Sequence, residues 1–547
     1  MTLYLYFYLI TFSLVGYGFI ASQFLQIKTK NFGVLGFLGI ILLALISYSS
    51  SIFIKHGYVF NFIFLLLGII FFILNLKNFR KFKKDLIYLF FSTSILLIFI
   101  SIGKNHDDFP YYHFPYITLL TEYSHPFGLG QLNNGFRSPS SIFFISSLFF
   151  LPKVGIYLFH LTPALILNFA NIVLLKNIFN KELFQKQNLL CFLSLLSFSF
   201  INIFFFRLAE HGTDRSGMII VLLSVIYLIN LVNNKEINFD NIKYNENIMK
   251  IFIIFICFAA TIKPYYLINF SFFLLLIIFE HTRKIFFKLF FSRVFYLCLI
   301  LIFFIVFFTF INSGCLVFPI KATCSENLLW SLDKDLIYQT KVWFELWSKG
   351  GANPNFVIND RIEYISGLNW LSNWIQNYFF NKVLDFLTGI IFLTLVIFLI
   401  FFKRDKKNIF FYNNNFFVYT LIVLLFLEWF FKHPTLRYGG YHLIALLLFI
   451  PISIKLSNFK IDYEYFLKRS LIIISITLVI FFARNFNRLD NENSLYGFNP
   501  IHNTNYQFIG GNEDFYYRYS TFIGNNIKNF EAINLFGKKI FIIKKNK

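Results

Sequence analysis

Long, nearly uninterrupted apolar runs separated by short polar stretches dominate the chain. Ile63–Leu74 and Ile390–Phe402 are typical, and neither alternates apolar and polar residues as the strands of an outer-membrane barrel do. Many runs approach the length of about 20 residues that an α-helix needs to cross about 30 Å of hydrocarbon. The pattern therefore predicts an all-α polytopic membrane protein.

The apolar runs predict about 14 membrane spans, with a range of 12 to 14. They lie near residues 2–24, 33–54, 58–76, 86–103, 155–175, 188–206, 217–233, 250–262, 265–280, 294–312, 383–402, 409–431, 442–457 and 469–484. The two runs that meet at Lys263-Pro264 are short enough to be half-helices. The first run lacks a basic leader and a small-residue cleavage site, so we interpret it as a retained helix.

Spans and polar stretches divide the chain into six predicted segments. These are N-terminal membrane helices (1–103), a first extracytoplasmic loop (104–154), further membrane helices (155–312), a second extracytoplasmic loop (313–382), C-terminal membrane helices (383–484) and an extracytoplasmic tail (485–547). The tail is rich in Asn, Gly and Tyr and favours a strand or two.

Composition and charge narrow the class of protein. The chain is 57% hydrophobic and only 14% charged, which excludes a soluble globular enzyme. A net charge of +22 would suggest nucleic acid in a soluble protein, but in a membrane protein Lys and Arg collect in cytoplasmic loops. Basic residues concentrate at 77–84, 283–293 and 403–407. This bias predicts a bacterial cytoplasmic membrane protein that contacts lipids, binds no nucleic acid and has both termini outside.

Cysteines fall into two groups. Cys191, Cys257 and Cys298 lie in apolar spans and are interpreted as packing residues. Cys315 and Cys324 lie in the second predicted extracytoplasmic loop, where an oxidising compartment favours a disulfide. A metal site is the alternative, but no His or further Cys lies nearby in sequence.

The first extracytoplasmic loop opens with His106, Asp107 and Asp108, just after a predicted span. A carboxylate close to the membrane boundary can act as a general base, and its neighbours can orient it. Two carboxylates can also hold a divalent cation such as Mg²⁺ or Mn²⁺ through oxygen ligands. The structural alternative is that Asp108, which precedes Phe109-Pro110, caps the following helix.

Basic residues on the same predicted side form candidate anion sites. Arg437 can bind a phosphate bidentately, with His433 and Tyr438 beside it and Lys263 at a proline break as a second contact. Arg137, a lone arginine among turns, suits an anionic headgroup equally well. The alternative for all of them is a role as ordinary interfacial residues.

Asp214 lies between two predicted spans, within a tight mixed-sign cluster. Its charged neighbours are Arg207, Glu210, His211 and Arg215. The cluster indicates either a salt-bridged hinge between helices or a second carboxylate that contacts substrate or metal.

The second extracytoplasmic loop is rich in tryptophan, at Trp330, Trp343, Trp347, Trp370 and Trp374. Tryptophan near a membrane is typical of an interfacial belt. A platform on which a sugar ring stacks is the functional alternative.

The combination of many spans, an acidic pair that opens an extracytoplasmic loop, and basic residues in further outer loops resembles the GT-C superfamily of membrane glycosyltransferases. The matching residues are Asp107-Asp108 and the loop from Tyr116 to Pro152. The resemblance implies inverting transfer of a sugar from a polyprenyl-phosphate carrier, with one loop acid as base and basic residues on the donor phosphate. Here the pair follows four predicted spans, whereas in the family it often follows the first.

These patterns lead to the hypothesis of a GT-C-type glycosyltransferase whose site faces the periplasm or exterior. Its donor would be a polyprenyl-phosphate-linked sugar and its acceptor a glycan, lipid or protein. An O-antigen polymerase or ligase, dependent on Arg437 and His433, is the first alternative. A lipid-linked saccharide flippase or other transporter is the second, but a transporter would place ionisable residues near mid-span.

Overall fold

The structure is a computed structural model that describes most of the chain. The described residues are 1–76, 79–102, 108–208, 212–234, 239–352, 358, 360–404, 413–497, 530–535 and 538–543. The predicted site residues His106 and Asp107, and the Asp214 neighbours Glu210 and His211, lie outside them.

The N-terminal half of the chain is built from helices that follow the apolar runs. They are α1 (Thr2–Phe24), α2 (Phe32–Ser51), α3 (Tyr58–Asn75), α4 (Phe79–Ile95), α5 (Leu97–Ile100), α6 (Phe114–Glu122), α7 (Ser141–Ser147), α8 (Leu161–Ile178), α9 (Lys181–Phe204), α10 (Thr213–Asn233) and α11 (Phe239–Ile262). A π-helix (Phe109–His113) leads into α6, and a 3-10 helix (Gly155–His160) leads into α8.

The C-terminal half continues the helical pattern and ends in a hairpin. Its helices are α12 (Phe272–Ile278), α13 (Glu280–Leu289), α14 (Arg293–Ser313), α15 (Lys334–Lys349), α16 (Arg361–Ile365), α17 (Leu371–Trp374), α18 (Leu384–Phe401), α19 (Asn413–Lys432), α20 (Gly440–Ser457) and α21 (Tyr463–Tyr496). A 3-10 helix (Pro264–Ser271) precedes α12, a π-helix (Ile375–Val383) joins α17 to α18, and a 3-10 turn (Leu436–Tyr438) joins α19 to α20. Strands β1 (Phe530–Leu535) and β2 (Lys538–Ile543) pair antiparallel in the predicted tail.

Within the described residues, twelve helices are long and apolar enough to cross a membrane, or thirteen if one bent pair counts as a span. The bent pair consists of Pro264–Ile278 and Glu280–Leu289, which meet at 118°. It occupies the apolar run at 265–280, whereas the run at 250–262 belongs to a full-length helix, α11, and is not a half-helix. The predicted span at 86–103 is divided between α4 and α5, and neither is among the twelve. The chain is an α-helical multi-pass membrane protein.

The basic loops predicted to be cytoplasmic meet at one end of the helix bundle. The Arg293 guanidinium donates to the carbonyl of Phe24 at 2.9 Å, which joins the start of α14 to the end of α1. Glu246, in the first half of α11, forms ion pairs with Lys250 at 3.0 Å and Lys288 at 2.9 Å. Lys288 and Arg293 thus join the 283–293 segment to α11 and α1, whereas the Glu246–Lys250 pair lies within α11.

The two large loops pack against each other at the other end. The Gln131 side chain of the first loop donates to the carbonyl of Ser331 in the second loop at 2.8 Å. The amide of Gly128 donates to the carbonyl of Ile311, near the end of α14, at 2.8 Å. A disulfide joins Cys315 to Cys324 within the second loop. In the first loop, the Ser140 hydroxyl caps α7, which ends at Ser147.

Candidate functional site

Four charged side chains from four separate segments meet at the end of the bundle that carries the two large loops. Asp108 directly precedes the π-helix of the first loop, and Asp214 lies in the first turn of α10. Lys263 follows the last residue of α11, and Arg437 lies in the 3-10 turn between α19 and α20. We call Asp108, Asp214, Lys263 and Arg437 the ionic cluster.

Arg437 joins the two carboxylates of the ionic cluster. Its Nε donates to Asp214 Oδ2 at 2.9 Å, and its Nη2 forms an ion pair with Asp108 Oδ2. Lys263 Nζ forms an ion pair with the other Asp214 oxygen, Oδ1. Asp214 is thus bound on both oxygens by cations. Asp214 is salt-bridged, but its partners Lys263 and Arg437 lie outside the local cluster from which the sequence predicted a hinge.

The four members differ in burial. The side chain of Asp214 is only 2% exposed, whereas those of Asp108, Lys263 and Arg437 are 26%, 25% and 27% exposed. Asp214 also benefits from its place in the first turn of α10, where the helix dipole favours a negative charge. The ionic cluster therefore combines one fully buried anion with three partly exposed charges.

Local sequence explains how Lys263 and Asp214 come together. Pro264 cannot continue α11, so the helix ends at Ile262 and Lys263 takes an extended conformation. Tyr266 then lies against α10, where its hydroxyl donates to the carbonyl of Asp214. A Cβ on Gly217, one turn later in α10, would lie 2.1 Å from the Tyr266 ring, so glycine is required for this approach.

Two tryptophan side chains form hydrogen bonds with the segment that leads into the Arg437 turn. Trp374 Nε1 donates to the carbonyl of Pro434 at 2.8 Å, and Trp429 Nε1 donates to the carbonyl of Thr435 at 2.9 Å. The turn closes at Gly439, which has a φ of +106° and a position where a Cβ would lie 2.8 Å from the Tyr265 ring. The backbone of the turn is thus fixed by its neighbours.

Two aromatic side chains, Trp347 and Tyr438, border Lys263 and Arg437, and we call them the aromatic wall. Lys263 Nζ lies 4.8 Å from the centre of the Tyr438 ring, and the Arg437 guanidinium lies 5.6 Å from the centre of the Trp347 ring. Trp347 and Tyr438 themselves meet edge to face at 5.7 Å. The wall draws on both the predicted phosphate-binding loop and the tryptophan-rich second loop. Trp370, by contrast, is fully buried and belongs to the core.

Burial and charge act in opposite senses on the two cations. Burial disfavours the charge on Arg437, but Asp214 and Asp108 outweigh it and hold the pKa of Arg437 well above its usual value. Burial is the largest influence on Lys263 and lowers its pKa, while Asp214 opposes that shift. Arg437 therefore keeps its positive charge, and Asp214 favours the charge on Lys263 against the effect of burial.

His433 lies beside this wall without entering the ionic cluster. Its ring is 5.9 Å from that of Tyr438 and 6.3 Å from that of Tyr265. Burial lowers the pKa of His433 to about 4, so the ring is neutral at physiological pH. Its Nδ1 is buried and has no hydrogen-bond partner among the described residues. A neutral imidazole here can exchange a hydrogen bond with a ligand but adds no charge for phosphate.

The structure also bears on the alternative role of Asp108 as a helix cap. Asp108 occupies the cap position of the π-helix, but its side chain makes no capping hydrogen bond. Its carboxylate contacts Arg437 instead. Within the described part of the chain, no three His, Cys, Asp or Glu side chains are grouped as ligands for a metal ion. The predicted cation site would need Asp107, which lies outside that part.

Arg137 is not brought to the ionic cluster. Its guanidinium donates to the carbonyl of Gly130 at 3.2 Å, to Asn134 Oδ1 at 3.0 Å and to Thr340 Oγ1 at 2.8 Å. Its cation also lies 5.7 Å from the centre of the Phe318 ring. These partners belong to the two large loops, so Arg137 joins the loops, and its predicted role in donor binding gains no geometric support.

Three aromatic residues near the ionic cluster were missed by sequence reasoning. Tyr266 supports Asp214, as described above. His113 is 4% exposed and has a buried Nε2 without a partner among the described residues, and burial lowers its pKa to about 3. Tyr112, which is adjacent, has a pKa well above its usual value because of burial and the Asp108 charge. In the sequence, these residues are marked by their position: Tyr112 and His113 closely follow Asp108, and Tyr266 closely follows Lys263.

An apolar groove of about 470 Å³ lies directly below the Arg437 turn. Residues of α17, the π-helix Ile375–Val383, α18, α19 and α20 line it. Aromatic and aliphatic side chains line it, among them Trp374, Phe379, Leu387, Trp429, Phe430 and Leu448. Trp374 and Trp429 thus belong both to the lining of the groove and to the support of the segment that precedes Arg437.

Comparison with protein families places the chain in one of them. A model of the family described as a domain of unknown function, DUF8201, matches residues 1–444. The chain belongs to the DUF8201 family. The match includes all four members of the ionic cluster and ends before the tail. No curated protein and no solved structure matches the chain.

Proposed function

We propose that this membrane protein is a GT-C-type glycosyltransferase that moves a sugar from a polyprenyl-phosphate donor to a glycan, lipid or protein acceptor on the extracytoplasmic face. The observation that carries the proposal is the position of Arg437. It contacts the carboxylate of Asp108 on one side and is anchored by Asp214 on the other. A general base and a phosphate-binding cation therefore lie within one ion pair of each other.

This juxtaposition suits in-line displacement at the anomeric carbon of the sugar. The Asp108 carboxylate takes the proton of the acceptor hydroxyl as the acceptor oxygen forms its bond to that carbon. The bond from the carbon to the phosphate oxygen breaks, and the polyprenyl phosphate leaves. Arg437 and Lys263 stabilise the negative charge that develops on the leaving oxygen, since both cations are partly buried and already oriented.

The apolar groove supports a lipid-linked donor. An isoprenoid chain is wholly apolar, and the groove offers an apolar surface in which Trp374 and Trp429 hydrogen-bond to the segment just before Arg437. A donor whose chain lay in the groove would place its phosphate at the level of Arg437 and Lys263. Trp347 and Tyr438 would then border the sugar, as the stacking role predicted for the second loop requires.

The two alternatives fit the geometry less well. An O-antigen polymerase or ligase that depended on Arg437 and His433 would leave the pairing of Arg437 with Asp108 without a purpose. For a flippase we would expect ion pairs near mid-span. The ionic cluster instead lies where helices end, at the start of α10, the end of α11 and the turn before α20.

Mass spectrometry of lipid-linked saccharides and surface glycans tests the proposal. Cells without the gene should lack one sugar residue and accumulate the acceptor that lacks it. Wild-type protein and the matched control Asp385→Asn, a change at an exposed carboxyl of α18, should restore the sugar, and Asp108→Asn should not. Accumulation of an intact lipid-linked saccharide would instead indicate a flippase or a polymerase and would overturn the proposal.

A further inference from the structure

Arg437 is shared between two carboxylates that hold it unequally. Asp214 is 2% exposed, accepts from Arg437 Nε and is also bound by Lys263. Asp108 is 26% exposed and contacts Arg437 through Nη2. Displacement of Asp214 would leave a buried carboxylate and a second cation without their partner, whereas displaced Asp108 can be solvated. A phosphate that competes for Arg437 will therefore displace Asp108.

The way in which each carboxylate is attached to the fold also favours displacement of Asp108 over displacement of Asp214. Asp214 is part of α10, and Tyr266 donates to its backbone carbonyl from the segment that follows Lys263. Asp108 lies at the start of a π-helix in the first loop and makes no capping bond there. The side chain of Asp108 can thus leave Arg437 without breaking a helix cap.

From this geometry we infer that Arg437 holds Asp108 inactive until the donor phosphate takes its place, so that donor binding releases the catalytic base. The inference rests on the proposed function and deepens it by giving the order of events. In the free enzyme the Asp108 carboxylate is neutralised by Arg437. Once the donor phosphate occupies the Nη2 side of Arg437, the carboxylate turns to the acceptor hydroxyl and takes its proton.

The charges of the ionic cluster explain why this order is useful. Its two carboxylates and two cations balance, and the phosphodiester of the donor adds one negative charge. Asp108 then loses its cation and gains an anion nearby, and both changes raise the proton affinity of a carboxylate. The base becomes effective only when the leaving group is in place. An acceptor hydroxyl that arrived first would meet a carboxylate already engaged by Arg437.

The reactivity of the Asp108 carboxyl toward dicyclohexylcarbodiimide tests the inference. The reagent modifies protonated carboxyls, and peptide mass spectrometry counts the modified fraction in protein held in lipid nanodiscs. The probe is a long-chain polyprenyl phosphate, and native mass spectrometry measures its binding independently. Since a neighbouring arginine lowers an aspartate pKa by about one to three units, saturating probe should raise the labelling rate of Asp108 at least about tenfold.

Variants separate the effect of release from other effects of the ligand. Arg437→Gln should give fast labelling of Asp108 without probe and no further rise with it. Arg361→Lys, a change at an exposed arginine in the second loop, should behave as wild type. The exposed carboxyl of Asp385 reports on reagent access and should label equally in every sample. If Arg437→Gln does not fold, the wild-type measurements still decide.

Each outcome has a distinct meaning. Probe that binds while Asp108 labelling stays constant or falls would overturn the release mechanism and leave the proposed function standing. Wild-type protein that binds no polyprenyl phosphate would remove the proposed donor, and the proposed function and the release mechanism would then fall together. Probe-dependent labelling that persists in Arg437→Gln would show that another residue controls Asp108, and this too would overturn the mechanism.

Discussion

Arg437 and Arg137 both looked like anion-binding residues in the sequence, and the structure gives them opposite surroundings. Arg437 is bound by carboxylates, lies against an aromatic wall and keeps 27% of its side chain exposed. Arg137 is bound by carbonyl, amide and hydroxyl oxygens and is 9% exposed. The neutral and nearly closed surroundings of Arg137 suit a residue that joins two loops. The ionic and partly open surroundings of Arg437 allow a ligand to replace one of its partners.

The difference has a physical origin in the pairing. Hydrogen bonds from Arg137 to neutral oxygens satisfy the guanidinium but leave its charge uncompensated, and burial accordingly lowers the pKa of Arg137. Carboxylates compensate the charge of Arg437 and hold its pKa high. A phosphate can take the place of Asp108 at Arg437, because one anion then replaces another in contact with the guanidinium. A phosphate that bound Arg137 would have to displace partners of Arg137 in both large loops.

The largest expected effect is on the partner of Arg437. Asp108→Asn should lower the transfer rate about 10²–10⁴-fold, because an amide keeps the size of the carboxylate but cannot take a proton. Turnover by purified protein in nanodiscs is the measurement. Asp107→Asn, measured beside it, assigns the base within the adjacent pair.

The matched change on the Arg137 side is Thr340→Val, which removes the hydroxyl that Arg137 contacts. Turnover should stay near the wild-type value, and the free energy of unfolding should fall by about 1 kcal/mol. Near-normal turnover in both Asn variants would sink the role of the acidic pair as base and favour the polymerase alternative.

Asp214→Asn should produce the largest loss of stability. Removal of a buried charge that pairs with two cations costs about 3–5 kcal/mol, because Lys263 and Arg437 then repel each other without compensation. Thermal unfolding in detergent measures the change. Glu280→Gln, which breaks an exposed pair with Lys284, should cost far less, because solvent screens the pair. Equal losses in the two variants would contradict the anchoring role of Asp214.

Arginine-to-lysine substitutions separate the two arginines in kinetics. Arg437→Lys keeps the charge but loses the fork that reaches two acceptors, so KM for the donor should rise about tenfold, as expected for one charge-assisted hydrogen bond of about 1.5 kcal/mol. Arg137→Lys should leave KM unchanged and lower the free energy of unfolding by about 1–3 kcal/mol. A rise in KM from Arg137→Lys would return Arg137 to the donor site.

The smallest effect concerns pH and tests whether His433, which lies beside the aromatic wall, is neutral in the folded protein. Burial lowers the pKa of His433 to about 4 from an ordinary value of 6.5. Between these values the unfolded chain binds a proton that the folded protein resists, so the free energy of unfolding falls as pH drops, by about 1.4 kcal/mol per pH unit for this residue. Above pH 6.5 this contribution is constant.

Thermal unfolding from pH 7 to pH 5 measures that dependence. His433→Gln should reduce the slope by the share of one titrating group, and the rest should persist because His113 is shifted in the same sense. An unchanged slope in His433→Gln would mean that His433 is charged in the folded protein.

From the sequence alone, the membrane class and an apolar run for each of the twelve long apolar helices could be predicted, whereas α15, α16 and α17 of the second loop were not. Apolar runs of span length must form helices in hydrocarbon, because every backbone polar group needs a partner within its own segment. The same argument placed Lys263 at a break, since Pro264 cannot continue a helix. The match is poorer at 86–103 and 265–280, where charges near the ends and short apolar segments allow several solutions.

The tertiary structure decided which of the candidate residues form one site. Asp108, Asp214, Lys263 and Arg437 are far apart in the chain, and each has an ordinary local interpretation as a cap, a hinge or an interfacial residue. Only helix packing brings them within ion-pair distance. It also removes Arg137, because a local sequence signal shows that a side chain is charged but not which partners the fold will place around it.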